Sequence, residues 1–174
     1  MDKYGLIGYP LGHSFSISYF NQKFADENID AVYENFEIPT IDLLPEVLDS
    51  NPELKGLNVT IPYKQKVMPF LDNISPEARA IGAVNVIRVE RNGKDVTLKG
   101  FNSDVIGFTQ SIEPMLESHH KKALILGTGG ASKAVYYGLT EKLGMEEVLF
   151  VSRQIGPLEQ TPSPLRGISP SMGR

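Results

Sequence analysis

The sequence LNVTIPYK at residues 57–64 joins a short apolar strand to an amide, a hydroxyl and an ammonium group. Asn58 and Thr60 occupy alternate strand positions, so their side chains are predicted to lie on the same face. Pro62 ends the strand because it has no backbone N–H, and Lys64 can then turn back toward that face. We therefore predict three converging polar groups. The pattern alone also fits an ordinary strand end whose polar side chains bind nearby backbone and whose lysine is solvated.

Three further segments place polar side chains at the ends of predicted elements. YPLGHSFS at residues 9–16 follows the first apolar strand and carries the hydroxyls of Ser14 and Ser16. AIGAVN at residues 80–85 places the Asn85 amide where a strand begins, and GFNSDVIGF at residues 100–108 places the Asp104 carboxylate between a strand and a helix. Ser14, Ser16 and Asp104 also fit a simpler role as helix N-caps.

A glycine-rich turn follows the apolar run KKALIL at residues 121–126, which is typical of a buried parallel strand. A helix is predicted over residues 131–143. Glycines between such a strand and helix let the backbone approach a pyrophosphate at the helix N-terminus, although a purely structural turn is the alternative. The candidate cofactor-binding residues of this turn are Gly127, Gly129, Gly130, Ala131 and Ser132.

The next predicted strand, residues 148–152, ends in Ser152 and Arg153. A site for NAD usually has an acidic residue here to bind the ribose hydroxyl, whereas an arginine favours the 2′-phosphate of NADP. These two residues therefore predict NADP as the cofactor. An exposed arginine at a strand end is the simpler interpretation.

Taken in chain order, these five motifs resemble those of the shikimate/quinate dehydrogenase family, and the resemblance covers residues 4–153. The family pattern is a Ser-x-Ser loop, Asn-Val-Thr-aliphatic-Pro-aromatic-Lys, Gly-Ala-Val-Asn, Asn-[Thr/Ser]-Asp-Gly and a glycine-rich turn. This chain departs where Val105 follows Asp104, a place where the family often has glycine, and where Ser152 and Gln154 replace the common Asn-Arg-Thr. The resemblance implies reversible, NADPH-dependent reduction of 3-dehydroshikimate to shikimate in the chorismate pathway.

The resemblance also implies roles for individual residues. Ser14 and Ser16 would hold the substrate carboxylate. Lys64 and Asp104 would contact the substrate as the catalytic pair, because an ammonium can stabilise the charge that develops on a carbonyl oxygen and donate a proton to it. The ring hydroxyls would be bound by Asn58, Thr60 and Asn85.

The predicted fold is α/β. An N-terminal α/β substrate-binding domain with a mixed sheet is predicted for residues 1–116. Residues 117–154 are predicted to form the start of a Rossmann-like NADP-binding domain, which is incomplete. Residues 155–174 contain four prolines and no apolar periodicity, which predicts a disordered or aberrant tail. Because a doubly wound domain has about six strands, we interpret the chain as C-terminally truncated.

The local patterns predict individual elements of the first domain. Asn92-Gly93 between two apolar runs predicts a hairpin of strands 84–90 and 95–101. The helix after Ser14 is expected to have an apolar face that includes Phe15, Tyr19, Phe20 and Phe24. Further strands are predicted at 3–8, 31–38 and 56–61, and further helices at 40–48, 64–71, 76–81 and 103–116.

Composition narrows the class of protein. A net charge of −4 and a pI near 5.4 argue against nucleic-acid or anionic-membrane partners. The chain has no cysteine and three histidines, so no metal site is predicted. No apolar run approaches the roughly 18 residues that span a bilayer, and the first residues lack a signal-peptide pattern, which predicts a cytoplasmic protein. The expected partner is a small-molecule substrate, with a homodimer left open.

Two other functions fit the same residues. One is a quinate or shikimate dehydrogenase that prefers NAD, which Ser152 and Gln154 leave open. The other is a module that binds shikimate without catalysis.

Overall fold

The computed structural model describes residues 1–12 and 15–151. Within them a six-stranded sheet has the order β2-β1-β3-β5-β6-β4, and β7 and β8 form a two-stranded sheet. The bounds are β1 Asp2–Gly8, α1 Phe15–Asp26, β2 Ala31–Glu37, α2 Leu44–Ser50, β3 Leu54–Val59, β4 Asn73–Ile74, α3 Pro76–Ile81, β5 Val86–Asn92, β6 Asp95–Phe101, α4 Asp104–Ile112, β7 Lys122–Leu126, α5 Gly130–Tyr137 and β8 Glu147–Val151.

The large sheet is mixed, as predicted. Strands β1, β2 and β3 are parallel, β5 runs antiparallel to β3, and β5 and β6 form the predicted hairpin. Gly93 in the hairpin turn has a φ of 62°, a conformation that glycine adopts without steric cost. The parallel strands place the ends of β1 and β3 side by side, at the edge where the polar segments of the sequence begin.

We call the part of the chain that contains the six-stranded sheet the first lobe. Its core lies between this sheet and α2. Leu57 and Val59 of β3 are each 2% exposed, and Leu44 of α2 is 1% exposed. Alternation along β3 then turns Asn58 to the opposite face, toward α1. Because Leu57 and Val59 are buried on one face of β3, the side chain of Asn58 must lie on the other face.

Several predicted helices differ from those observed, and proline accounts for some of the differences. Residues 64–71, predicted as a helix, form turns and a short 3-10 helix at Met68–Phe70 with Pro69 in its first turn. The helix predicted to reach residue 116 ends at Ile112 and continues as a 3-10 turn around Pro114. Proline lacks the N–H that an α-helix needs beyond its first turn.

Other element boundaries also shift. The helix predicted over residues 40–48 begins as a 3-10 turn and becomes α2, with Pro45 near its start. The strand predicted at 56–61 is β3, which begins and ends two residues earlier. The helix predicted over 131–143 is α5 followed by a π-helical turn at Gly138–Lys142.

The predicted apolar face of α1 is only partly covered by the sheet, and Phe20 and Phe24 are half-buried. Phe20 stacks on Tyr33 with ring centroids 4.7 Å apart, and Phe24 lies 5.9 Å from Tyr4. Phe15 is 76% exposed and Tyr19 is 49% exposed, so these two residues of the predicted apolar face are not covered by the sheet. The face of a helix that meets a sheet is narrower than the set of apolar residues on it.

The second lobe consists of β7, α5 and β8, and it forms a strand–turn–helix–strand unit, as predicted. Strands β7 and β8 are parallel, and α5 covers one face, where Tyr136 lies 5.4 Å from Phe150. The opposite face has exposed apolar side chains at Leu124, Leu126, Leu149 and Val151.

Helix α4 joins the two lobes through Val105, the residue that departs from the family motif. Its side chain is 1% exposed and packs with Ile81, Ala83 and Ala134. Ala134 belongs to α5, so the valine methyl groups fill the contact between α4 and the second lobe.

We expect Val105→Ala to lower the free energy of unfolding by about 2 kcal/mol, because two buried methyl groups are lost. Urea denaturation would measure this change. Ile106→Ala, at a residue that is 50% exposed, is the control and should change it by less than about 0.5 kcal/mol. Equal effects of the two substitutions would contradict the packing role of Val105.

Candidate active site

Lys64 is held in place by the turn that follows β3. The carbonyl of Lys64 accepts a hydrogen bond from Val84 N–H at 2.7 Å. The neighbouring Tyr63 is 2% exposed, and its hydroxyl donates to the Ile38 carbonyl at 2.6 Å. These two bonds fix the backbone on either side of the lysine side chain, and they direct it toward α4.

The Lys64 ammonium forms an ion pair with Asp104. The Nζ and Oδ2 atoms are 2.6 Å apart, and the side chains are 17% and 30% exposed. The lysine is therefore not the solvated residue of the simpler interpretation. Limited access to water strengthens the attraction between the two charges compared with a surface pair.

Asn85 completes the charged cluster. Its Nδ2 donates to Asp104 Oδ1 at 2.7 Å and to Ser103 Oγ at 3.0 Å, and its Oδ1 accepts from Ser103 N–H at 2.8 Å. Asn85 is only 8% exposed, so its amide has one defined orientation. The two oxygens of Asp104 thus bind two different donors, one charged and one neutral.

The first turn of α4 is capped by the side chain of Asn102, which directly precedes the N-cap residue Ser103 and had no predicted role. Asn102 Oδ1 accepts from Val105 N–H at 3.3 Å, and its Nδ2 donates to the Ala83 carbonyl at 3.0 Å. Asn102 is 4% exposed. Because it caps the helix, the Asp104 carboxylate is left for Lys64 and Asn85. An asparagine two residues before the first helical residue was the available signal.

Asn58 and Thr60 lie at the end of β3 near β1 and α1. Asn58 Oδ1 accepts a hydrogen bond from the Tyr33 hydroxyl at 2.8 Å. Asn58 and Tyr33 line a groove of about 400 Å³ between α1 and the sheet. The Thr60 N–H donates to the Ile7 carbonyl at 3.0 Å. Among the residues that the structure describes, none accepts a hydrogen bond from the Asn58 amide nitrogen.

The serine loop is described only in part. Ser16 lies in the first turn of α1 and makes a side-chain hydrogen bond to Tyr33. Ser14 and His13 lie outside the described residues. The predicted carboxylate role of Ser14 and Ser16 stays a prediction.

Burial raises the pKa of Tyr33 from 10.0 to about 12, and the Ser16 hydrogen bond opposes this rise. The unfolded chain therefore loses this proton at a lower pH than the folded chain. Between those two pKa values the unfolded state binds fewer protons, so the free energy of unfolding falls as pH rises. We expect urea titrations across this window to show a smaller fall in Tyr33→Phe than in the wild-type protein. Identical pH slopes would contradict the shift.

The glycine turn packs directly against Lys64. A Cβ atom placed on Gly130 would lie 3.3 Å from the Cβ of Lys64. Gly127 has a φ of 107°, which favours glycine, and a Cβ there or at Gly129 would meet no atom of the described residues within 4 Å. The start of α5 therefore offers open space beside backbone N–H groups, as a bound pyrophosphate requires.

The remaining residues of the turn, Ala131 and Ser132, lie in the first turn of α5. The Ser132 hydroxyl donates to the Gly129 carbonyl at 2.6 Å, while Ala131 is exposed. Ser152 and Arg153 lie outside the described residues. Their roles at the ribose phosphate stay predictions.

A salt bridge also links the lobes. Lys142 Nζ lies 3.0 Å from Glu77 Oε1. Both residues line a second cavity of about 550 Å³, which also includes Ser103 and Tyr137. The two lobes thus meet both at Lys64 and at this ion pair.

A polar cluster on one α/β lobe and a glycine turn of the dinucleotide-binding type on the next define a class, the two-lobed α/β proteins with a Rossmann-like second lobe. Residues 6–87 match the family model described as the shikimate dehydrogenase substrate binding domain. Over this segment the chain is similar to the substrate-binding domain of the shikimate dehydrogenase family.

Similar proteins support this assignment. "Shikimate dehydrogenase (NADP(+))" of Caldanaerobacter subterraneus subsp. tengcongensis is 40% identical over 159 residues, covering 87% of this chain and 53% of the relative. A protein of the same name from Halothermothrix orenii is 43% identical over 155 residues, covering 87% and 52%. The chain spans a little over half the length of these curated relatives.

Solved structures give the same result. Shikimate dehydrogenase 1 of Peptoclostridium difficile has a TM-score of 0.78 and 36% identity, with 90% of this chain and 57% of that chain covered. Shikimate 5-dehydrogenase of Thermus thermophilus, solved with NADP(H) and shikimate, has a TM-score of 0.73 and 32% identity, with 87% and 57% covered.

The described residues lack both a candidate metal site and a helix that could span a membrane. Residues 1–12 and 15–151 contain no group of three His, Cys, Asp or Glu side chains placed to hold a metal ion. None of the helices in this part of the chain is both long and apolar enough to cross a membrane.

Proposed function

We propose that this chain has shikimate dehydrogenase activity, the reversible NADPH-dependent reduction of 3-dehydroshikimate to shikimate in aromatic amino-acid biosynthesis. The observation that carries the proposal is the cluster of Lys64, Asp104 and Asn85, with Lys64 packed against Gly130. A proton donor beside a dinucleotide-type turn suits reduction of a carbonyl group. The relatives named for NADP(+) and the Thermus structure with NADP(H) and shikimate support this choice.

The coenzyme would be held at the start of α5 by Gly127, Gly129 and Gly130, together with Ala131 and Ser132, and Arg153 and Ser152 would bind its 2′-phosphate. Bound NADPH supplies a hydride to the carbonyl carbon. Open space at Gly127 and Gly129 fits a pyrophosphate that approaches the backbone closely.

Lys64 would be the proton donor. Its ammonium stabilises the negative charge that develops on the carbonyl oxygen and then donates a proton to that oxygen. Asp104 keeps the ammonium in place through the 2.6 Å ion pair. In the reverse direction the same amine accepts the proton of the shikimate hydroxyl.

The remaining polar side chains would select the substrate. Ser14 and Ser16 would donate hydrogen bonds to a carboxylate, and Asn58, Thr60 and Asn85 would bind ring hydroxyls. An analogue that lacks a hydroxyl would leave one of these partly buried groups unpaired, which lowers its affinity.

The test begins with calorimetric titration of shikimate into the 174-residue protein. It continues with the rate of shikimate-dependent coenzyme reduction, followed by absorbance, with NADP+ and with NAD+ in parallel. Binding and faster reduction of NADP+ would support the proposal. Binding without reduction would instead favour the shikimate-binding module, and faster reduction of NAD+ would favour the NAD-preferring dehydrogenase. Absence of shikimate binding would contradict all three.

Cytoplasmic location and a homodimeric state are proposed with this function. Light scattering of the purified protein would test the second, and a monomer mass at all concentrations would contradict it.

A further inference from the structure

Tyr33 on β2 joins two of the predicted substrate-binding residues. Its hydroxyl donates to Asn58 Oδ1 at 2.8 Å, and Ser16 makes a side-chain hydrogen bond to the same hydroxyl. Ser16 is on α1 and Asn58 on β3, so the tyrosine connects the helix to the strand. Tyr33 is 3% exposed.

The rest of Tyr33 is fixed by contacts that do not involve its hydroxyl. Asn21 Oδ1 accepts from the Tyr33 N–H at 2.8 Å, and Asn21 Nδ2 donates to the Tyr33 carbonyl at 2.9 Å. The Tyr33 ring stacks on Phe20 at an interplanar angle of 18°. A phenylalanine at residue 33 would keep all of these contacts, so the fold does not depend on the hydroxyl alone.

An asparagine amide can bind a ligand through its oxygen or, after rotation, through its nitrogen. The Tyr33 hydroxyl occupies Asn58 Oδ1, and no hydrogen bond within residues 1–12 and 15–151 uses the two N–H donors of Asn58, which therefore face a ligand in this orientation. A ring hydroxyl of a polyol carboxylate offers the oxygen lone pairs that such donors need.

We propose that Tyr33 is a positioning residue for substrate binding, which acts through Asn58 by fixing the orientation of its amide. This inference rests on the proposed function for the identity of the substrate. Its structural part, the control of Asn58 by Tyr33, stands independently of turnover.

Tyr33→Phe is expected to weaken shikimate binding about 10-fold, the effect of one oriented hydrogen bond, with kcat changed less than about 3-fold. A double-mutant cycle decides whether the effect passes through Asn58. In the Asn58→Ala background, Tyr33→Phe should leave the shikimate Kd unchanged. A further 10-fold loss in that background would overturn the proposal.

Tyr4→Phe is the matched control. It removes a phenol hydroxyl from the wall of the same groove, where the Tyr4 ring packs on Phe24 instead. The shikimate Kd should stay within about 2-fold of the wild-type value, well inside the 10-fold change expected at residue 33. Equal weakening by both substitutions would also overturn the proposal.

The Asn58 side-chain amide provides a readout without ligand. Its two proton resonances, identified by their loss in Asn58→Ala, should shift in Tyr33→Phe and stay unchanged in Tyr4→Phe. Unchanged resonances in Tyr33→Phe would overturn the positioning role. If the wild-type protein binds no shikimate, the proposed function fails, and these resonances still decide whether Tyr33 orients Asn58.

Discussion

Lys64→Ala is expected to lower kcat of shikimate oxidation by about 10²–10⁴-fold, the contribution typical of a general acid–base group. The substitution removes the ammonium that lies 2.6 Å from Asp104 and beside the glycine turn. Steady-state kinetics would measure kcat, and calorimetric titration would measure shikimate affinity. We expect affinity to fall much less than turnover, because the charge that Lys64 stabilises develops mainly in the transition state.

Lys66→Ala serves as the control. Lys66 is an exposed lysine two residues along the same turn, so its loss changes net charge equally while leaving the ion pair intact. It should leave kcat within about 2-fold of the wild-type value, far from the loss expected for an acid–base group. An unchanged kcat in Lys64→Ala, or similar losses in the two variants, would contradict the assignment of the proton donor.

Asp104→Asn is expected to lower kcat/KM by about 10²-fold, through misplacement of the groups it holds. Asp104 accepts from Lys64 Nζ through one oxygen and from Asn85 Nδ2 through the other. An asparagine has one acceptor oxygen, and its NH₂ group would face a donor on the other side. One of the two bonds must therefore break, and Lys64 or Asn85 loses its position.

The size of Asp104→Asn is nearly unchanged, so a loss of activity would reflect hydrogen bonding and charge rather than packing. Asp49→Asn, at an exposed residue of α2, is the control for loss of one carboxylate and should have no effect on kinetics. Because Lys64 and Asp104 act as a unit, the double variant should lose less than the product of the two single losses. Multiplicative losses would show that the residues act separately.

Local sequence patterns predicted much of the fold. The Asn92-Gly93 signal was enough to predict the β5–β6 hairpin, although Asn92 pairs with Asp95 and the loop itself is Gly93-Lys94. Apolar periodicity predicted an α-helix over residues 64–71, where Pro69 lies in a 3-10 turn, and a helix through Pro114, where α4 has already ended. Phe15 belongs to the predicted apolar face of α1 and is nevertheless 76% exposed, because periodicity identifies an apolar face without saying how much of it another element covers.

The sequence motifs predicted Lys64 and Asp104 as a pair, but they did not predict that Asn85 also donates to Asp104. Lys64 and Asp104 belong to recognisable motifs, whereas the capping bond of Asn102 was hidden beside the more conspicuous carboxylate. The valine after Asp104 departs from the family motif, and only the packing of α4 on Ala134 explains what a side chain does there.

The sequence by itself determined which residue types stand at strand ends, where the glycine turn lies and which family the motifs resemble. These are local properties of a few consecutive residues. The tertiary structure alone decided that Tyr33 orients Asn58 and that Gly130 packs against Lys64. Those pairs are brought together by the strand order, with β1 between β2 and β3, and by the packing of the two lobes. Contacts across such distances in the chain depend on how whole elements pack, which no local pattern encodes.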